Sequence, residues 1–357
     1  MLPALEGKPA ELWAKSIVCA LAPAALLYTL GLRAYLMLYT LGWRQRAQLP
    51  SCVVSIGNMT SGGTGKTGLT IALGRALLAG GYRVAVLSRG YRSRSERSVT
   101  TVSTSSGLVA DVQDAGDEPY LIAQSLPGAT VIVGKDRRQT GRLAIEIAKP
   151  DVVLLDDGMQ YYQLHRDVEI VLLSASRPFG NGRALPAGVL REPVDHIKRA
   201  SCVVVTGQDD ELRSADLSRV PRSMPTTRAR YVTRGLMDVR NGGTVPLSAL
   251  VGQRVGTLCG LGDPESFERT VAGLGAQIVH SVRLSDHVAP SRSQLEDMQV
   301  HGKRDGLTAI VISAKDAVKL PEPSGFLPIW ALDAELVVDD MAMLLGLIDR
   351  AVRSRHP

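Results

Sequence analysis

Between residues 50 and about 206, short apolar runs alternate with stretches in which apolar positions recur every three or four residues. The runs read as buried strands and the stretches between them as amphipathic helices. Strands are predicted over 52–57, 83–88, 129–133, 151–156, 168–174 and 201–206, and helices over 66–80, 117–126 and 136–148, with an exposed Ser- and Arg-rich loop near 92–107. Such alternation predicts a doubly wound parallel α/β sheet. From about 207 to 235 the pattern lapses into polar, Pro-containing sequence, which reads as a domain boundary. A second, smaller α/β unit follows, with strands over 254–259, 277–283, 308–312 and 328–332, helices over 265–274 and 291–303, and a last apolar helix over 339–352 that can pack on either domain. The expected organisation is an N-terminal segment over 1–46, a main domain over 47–225 and a C-terminal α/β domain over 226–357.

One strand-to-helix connection carries chemistry. The apolar run from Val53 feeds the turn Thr60-Ser61-Gly62-Gly63-Thr64-Gly65-Lys66-Thr67, and a helical stretch from Leu69 to Leu78 follows. Glycines let backbone N–H groups converge on phosphate oxygens, and the helix N-terminus behind them favours negative charge. Lys66 is placed to reach the β- and γ-phosphates of a nucleoside triphosphate such as ATP, and Thr67 to ligate Mg²⁺. The general pattern has glycine where this chain has Thr60, so the P-loop is a variant; a Gly-rich turn without a ligand is the plain alternative.

The run from Pro150 to Gly158 reads as a buried strand that ends in Asp156 and Asp157. In P-loop proteins an acid at that end of a strand holds the Mg²⁺ that bridges the phosphates, so either carboxylate is a candidate metal ligand. A turn built on Asp156, Asp157 and Gly158 is the alternative.

With 45% apolar and 21% charged residues, the 357-residue chain is globular and long enough for more than one domain. The formal charge of +6, from 41 Lys and Arg against 35 Asp and Glu, is spread along the chain. It suits a phosphate substrate or an anionic membrane surface, and no nucleic-acid-binding signature accompanies it. The four cysteines, Cys19, Cys52, Cys202 and Cys259, are far apart and lack metal-site spacing, which fits a reducing compartment. A monomer is expected.

Residues 17–32 are uncharged and mostly apolar, and after Arg33 a second apolar stretch runs to Trp43, followed by Arg44 and Arg46. A bilayer span needs about 20 residues. A cleaved signal peptide would export a nucleotide site to a compartment without ATP. A monotopic, interfacial helix with Trp43, Arg44 and Arg46 at headgroup level fits best; a spanning helix interrupted by Pro23 and Arg33, or a buried core helix, are the alternatives.

These residues together resemble the tetraacyldisaccharide 4′-kinases, the lipid A kinases of Gram-negative envelope synthesis. The resemblance covers most of the chain in order. It rests on Gly57-Asn58, Thr60 to Thr67, Ser88 to Tyr91, Gly116 to Pro119, Asp136-Arg137, Asp156 to Gly158 with Gln160, Arg166-Asp167, Gly180 to Gly182, Leu185 to Gly188, Leu190 to Pro193, Asp286-His287 and Lys315-Asp316. The variant loop with Thr60 is what this family has. Gly68, Met159, Tyr161 and Val288 depart from the residues usual in the family, which touches substrate-side details rather than the phosphate and metal groups.

The resemblance implies transfer of the ATP γ-phosphoryl group to the 4′-hydroxyl of an acylated glucosamine disaccharide 1-phosphate, at the cytoplasmic face of the inner membrane, with the N-terminal helix as anchor. It implies Asp117 as general base, paired with His287 from the second domain, and Glu192 as a further metal-site carboxylate beside Thr67, Asp156 and Asp157. Arg137 and Arg191 become candidate phosphate contacts. If His287 joins Asp117, the domains must close for chemistry. Without the resemblance, an aspartate opening a helix reads as a cap and a single histidine as an ordinary surface or core residue. The rival readings are a nucleotide-dependent ATPase switch, whose loops typically carry Lys where this chain has Ser61, and a membrane-associated nucleotide-binding module without catalysis.

Overall fold

The structure is a computed structural model that describes residues 5, 12–91, 93, 98–262, 264–284, 288, 290–320 and 325–355. In chain order the elements are α1 (Leu12–Ala20), α2 (Ala22–Thr40), β1 (Cys52–Asn58), α3 (Lys66–Ala79), β2 (Val84–Ser88), β3 (Thr100–Thr104), β4 (Gly107–Leu108), α4 (Val112–Ala115), α5 (Asp117–Ser125), β5 (Thr130–Val133), α6 (Arg137–Ala148), β6 (Val152–Asp156), β7 (Val168–Ser174) and β8 (Cys202–Thr206). They continue with α7 (Asp209–Ser214), β9 (Thr226–Asp238), β10 (Thr244–Val245), β11 (Arg254–Cys259), α8 (Pro264–Gly273), β12 (Gln277–Arg283), α9 (Arg292–Arg304), β13 (Ala309–Ser313), α10 (Ala314–Ala317), β14 (Ile329–Val338) and α11 (Met341–Arg355). The chain is a mixed α/β protein built on parallel sheet.

The chain forms two compact units, one from residues 1–115, 122–230 and 336–357, the other from residues 116–121 and 231–335. In the first unit the parallel order is β9-β8-β7-β1-β6-β2-β5, with β3 and β4 added antiparallel at the edge. Strand β1 is central and wholly buried, pairing β6 on one side and β7 on the other. Strands buried on both faces read as largely apolar runs, and β1, with Ser55 inside it, β2, β5, β6 and β8 do. One core cluster joins Val53, Leu87, Ile132 and Leu155; another joins Val171, Val203, Phe179 and Leu190. Each such side chain contributes about 1.5–3 kcal/mol by leaving water. Helix α11 returns to this unit, burying Leu344 and Ile348, while Arg355 donates to Asp167 at 2.9 Å and to the Leu49 carbonyl at 2.6 Å. In the second unit β12-β11-β13-β14 are parallel neighbours, with cores around Val255, Val311 and Phe267 and around Ile310, Leu295 and Leu327.

Two segments that lack an apolar run form strands nonetheless. The expected loop near 92–107 contains β3, which has only Val102 and Ser103 buried and hangs its hydrogen bonds on β5. The polar stretch over 207–235 contains α7 and most of β9, whose side chains are buried only at Thr227, Ala229 and Leu236. Among the described residues no single helix is long and apolar enough to cross a membrane; α1 and α2, bent by 41° at their junction, pass that test only as a pair. The break falls just before Pro23, in the first turn of α2, where proline's missing N–H costs no helix bond.

Candidate active site

Every strand around β1 points the same way, so Asn58, Ser88, Asp156 and Thr206 end on one edge of the sheet. The chain leaves β1 toward β2 on one side, while β6 connects to β7 on the other, and such a switch point opens a crevice at the carboxyl ends. The turn over 60–65 lies there. Gly62 and Gly65 have φ of 115° and 84°, which glycine adopts without strain. A Cβ on Gly62 or Gly63 would meet nothing within 4 Å, so both glycines border open space. Gly65 caps α3 with no side-chain hydrogen bond, leaving the first helical N–H groups for an incoming acceptor.

The loop is held by its neighbours. Asn58 Nδ2 donates to the carbonyls of Thr60 at 2.7 Å and Gly62 at 3.3 Å, and the Thr206 hydroxyl donates to the Thr64 carbonyl at 3.0 Å. Backbone bonds from Ser61 to the Val189 carbonyl and from Arg191 to the Met59 carbonyl, both 2.7 Å, strap the segment 189–191 along the loop's first residues. Lys66 Nζ donates to Asn58 Oδ1 at 3.2 Å and stands 3.7 Å from Asp157 Oδ1. Thr67, the next helical residue, is half-buried.

The two acids differ. Asp156 is buried and accepts from the hydroxyls of Thr70 at 3.3 Å and Ser88 at 3.0 Å. Asp157, at φ 50° just past the strand, faces cations: Arg191 reaches both of its oxygens at 2.9 Å. Burial alone pushes the Asp157 carboxyl up, but the charges of Lys66 and Arg191 outweigh it and hold the group below the ordinary range. Arg137 is buried at the start of α6, and burial lowers its guanidinium against the pull of Asp156 and Asp157. Its Nε is buried without a hydrogen-bond partner, a donor left for an anion.

Glu192 is fully buried, and both of its oxygens are taken by protein donors: Gln160 at 3.1 Å on one, His196 at 2.8 Å and Arg199 at 2.6 Å on the other. Burial pushes this carboxyl up; the His196 hydrogen bond and the Arg199 charge outweigh it and leave the net shift downward. Gln160 in turn donates to the Asn58 carbonyl at 3.1 Å and accepts from Arg191 at 3.3 Å. Helix α2 reaches this segment as well, through Tyr28 Oη to the Arg191 carbonyl at 2.7 Å and Arg33 to Asp195 at 3.4 Å.

The first unit thus brings together Thr60 to Thr67, Asp156, Asp157, Glu192, Arg137 and Arg191. Asp117 opens α5 and belongs to the second unit, where it is 8% exposed and lies 3.4 Å from Lys319 Nζ. Asp286 and His287 lie outside the described residues. Asn58, Gln160, Thr70, Ser88, Thr206, His196 and Arg199 are structural partners that carry no local signal of their role; Asn58, Ser88 and Gln160 were marked only by the family pattern. Among the described residues no cluster of three or more His, Cys, Asp or Glu side chains forms a self-sufficient metal site.

A sequence model described as Tetraacyldisaccharide-1-P 4'-kinase, or LpxK, matches residues 17–353. A tetraacyldisaccharide 4′-kinase from Pelobacter propionicus is 39% identical over 311 residues, 86% of this chain and 84% of that one. Its counterpart from Geobacter sulfurreducens is 36% identical over 348 residues, 97% of each. A crystal structure of LpxK from Aquifex aeolicus in complex with ATP superposes with a TM-score of 0.76 at 31% identity, covering 94% of this chain and 99% of that one.

Proposed function

The chain belongs to the tetraacyldisaccharide-1-P 4′-kinase family, and from that premise we propose that it transfers the γ-phosphoryl group of ATP to the 4′-hydroxyl of a tetraacyldisaccharide 1-phosphate, a step of lipid A biosynthesis. The observation that carries the reading is Lys66 standing between Asn58 and Asp157 at the mouth of an open glycine loop. The main unit is then a P-loop NTPase-like fold in which the loop 60–67 cradles the phosphates, Lys66 neutralises charge on the γ-phosphate, and Arg137 and Arg191 supply further positive charge.

The hydroxyl of Thr67 and the carboxylates of Asp156 and Asp157 form a hard oxygen set that fits Mg²⁺ beside bound phosphates. Held by these residues, the ion would supply positive charge that offsets the charge developing on the transferred phosphate. Glu192, expected as a further metal-site carboxylate, has both oxygens taken by protein donors and is assigned instead to fixing Gln160 and the strap that carries Arg191. Asp117 accepts the proton of the attacking hydroxyl, with His287 as its proposed partner. The new bond joins the 4′-oxygen to the γ-phosphorus, the bond to the β,γ-bridging oxygen breaks, and ADP leaves.

An acylated substrate stays in a bilayer, so the enzyme works at the cytoplasmic face of the inner membrane as a peripheral or monotopic monomer, with α1 and α2 in the interface. Leu26, Leu27, Leu30, Met37, Leu41 and Trp43 are exposed along this segment. Labelled ATP with Mg²⁺, detergent and the tetraacyldisaccharide 1-phosphate gives the test. Label moves into the lipid with the native chain and not with Lys66→Ala. Release of free phosphate without labelled lipid overturns the reading in favour of an ATPase switch.

A further inference from the structure

The Lys315-Asp316 pair has no part in the scheme above, yet it anchors a buried charge relay in the second unit. Strands β11 and β13 are parallel neighbours, so Gly260, just past β11, and Ser313, the last residue of β13, lie on the same edge. Asp316 ties them together: its Oδ2 accepts from the Gly260 N–H at 3.0 Å and from the Ser313 hydroxyl at 2.6 Å, while Ser313 caps α10 by accepting from the Asp316 N–H at 3.1 Å. Asp316 is fully buried. Its other oxygen, Oδ1, lies 3.4 Å from Lys319 Nζ, and the same ammonium lies 3.4 Å from Oδ2 of Asp117. Lys315 reaches past them to Glu118, 3.0 Å away. Lysine and both aspartates are each more than nine-tenths removed from solvent.

The Lys319 ammonium thus stands between two buried carboxylates, one of them committed to backbone and hydroxyl donors. A buried carboxylate that loses a neighbouring positive charge is driven toward its protonated form. A protonated Asp117 has no capacity to accept another. We propose that Lys319, braced by Asp316, is a positioning residue that keeps Asp117 as an ionised, correctly placed carboxylate. This rests on the reading of Asp117 as the base. The ammonium supplies charge at close range without contact with the reacting atoms, as the third group does in other nucleophile-base pairs.

The test uses the full chain and follows turnover, the KM for the lipid, ATP affinity and thermal midpoint in Lys319→Met, Lys319→Arg, Asp117→Ala and the Asp117→Ala/Lys319→Met pair. Lys319→Met is expected to lower kcat by about a hundredfold, the scale of lost general-base catalysis, with ATP affinity unchanged. Lys319→Arg restores a large part of it, because the charge returns. The double variant is no slower than Asp117→Ala alone, since both changes remove one function. Lys319→Met removes the cation beside the buried Asp316 and can fail to fold; Asp316→Asn/Lys319→Met removes that conflict and shows the same loss of kcat with a native-like thermal midpoint. Wild-type turnover in Lys319→Met or in Asp316→Asn/Lys319→Met, or an added loss in the Asp117→Ala/Lys319→Met pair, overturns the proposal while leaving the base intact. Wild-type turnover in Asp117→Ala overturns the base reading itself.

Discussion

Gly57 shows how tightly a single residue sets the site. A methyl group at that position would collide with the Met159 side chain and come within 2.8 Å of its backbone nitrogen, where β1 passes the turn after β6. Overpacking of this kind costs about 1–3 kcal/mol, so Gly57→Ala should lower the thermal midpoint by several degrees and weaken ATP binding, because Asn58 and the loop it holds shift together. Unchanged ATP affinity in a destabilised variant would separate the packing from the loop. Glu192 gives a pH-dependent counterpart. Its folded-state pKa lies below the unfolded value of about 4.3 despite burial, so its ionised form stabilises the fold fully above that pH and the contribution is lost as pH falls through the lower folded value. Melting curves should therefore show Glu192→Gln less stable at pH 7 yet flatter than the native chain below about pH 4.5. Parallel curves through that window would mean that the carboxyl titrates alike in both states.

At the scale of elements, what the sequence made legible is what burial writes locally. Strands β7, β11 and β12 occupy the ranges that their apolar runs predict, and the glycine loop and paired acids announce themselves within a few residues. Partners supplied from a distance left no such mark. Strand β9 carries Arg and Thr through most of its length, and its pairing is set by β8 rather than by its own pattern. The segment over 116–121 sits in the sequence among elements of the first unit but packs in the second, where Lys315 and Lys319 meet its acids. The N-terminal helices were legible as apolar and as interrupted at Pro23, next to which the break falls, and their exposed leucines have no protein to cover them among the described residues. Replacing Leu26, Leu27 and Leu30 by serine should reduce co-sedimentation with anionic vesicles by at least about tenfold, because burying one leucine is worth about 1.5–3 kcal/mol, while ATP binding in detergent stays as it was. Equal vesicle binding by the triple variant would move the contact surface elsewhere.

For the whole molecule, the decisive fact is that the second unit is inserted in the first. The chain leaves through β9 and returns through β14, and Arg230 pairs with Asp339 at 2.7 Å and Arg234 with Glu335 at 3.0 Å. Each step forward on one strand meets an equal step back on the other, the signature of an antiparallel pair. Because residues 234 and 335 stand opposite each other, replacing 235–334 with an Asn-Gly turn should close a tight hairpin and leave the first unit's sheet and the returning helix α11 intact. The loop, its straps and the acids all lie in that unit, so the shortened chain should unfold cooperatively and bind ATP within about tenfold of the full chain, a change of roughly 1.4 kcal/mol. It should transfer no phosphate to lipid, since it lacks Lys319 and the packing of the segment that carries Asp117. A folded first unit that has lost ATP would show that the nucleotide site needs the inserted unit to form, and the division of labour between phosphate binding and base catalysis would have to be redrawn.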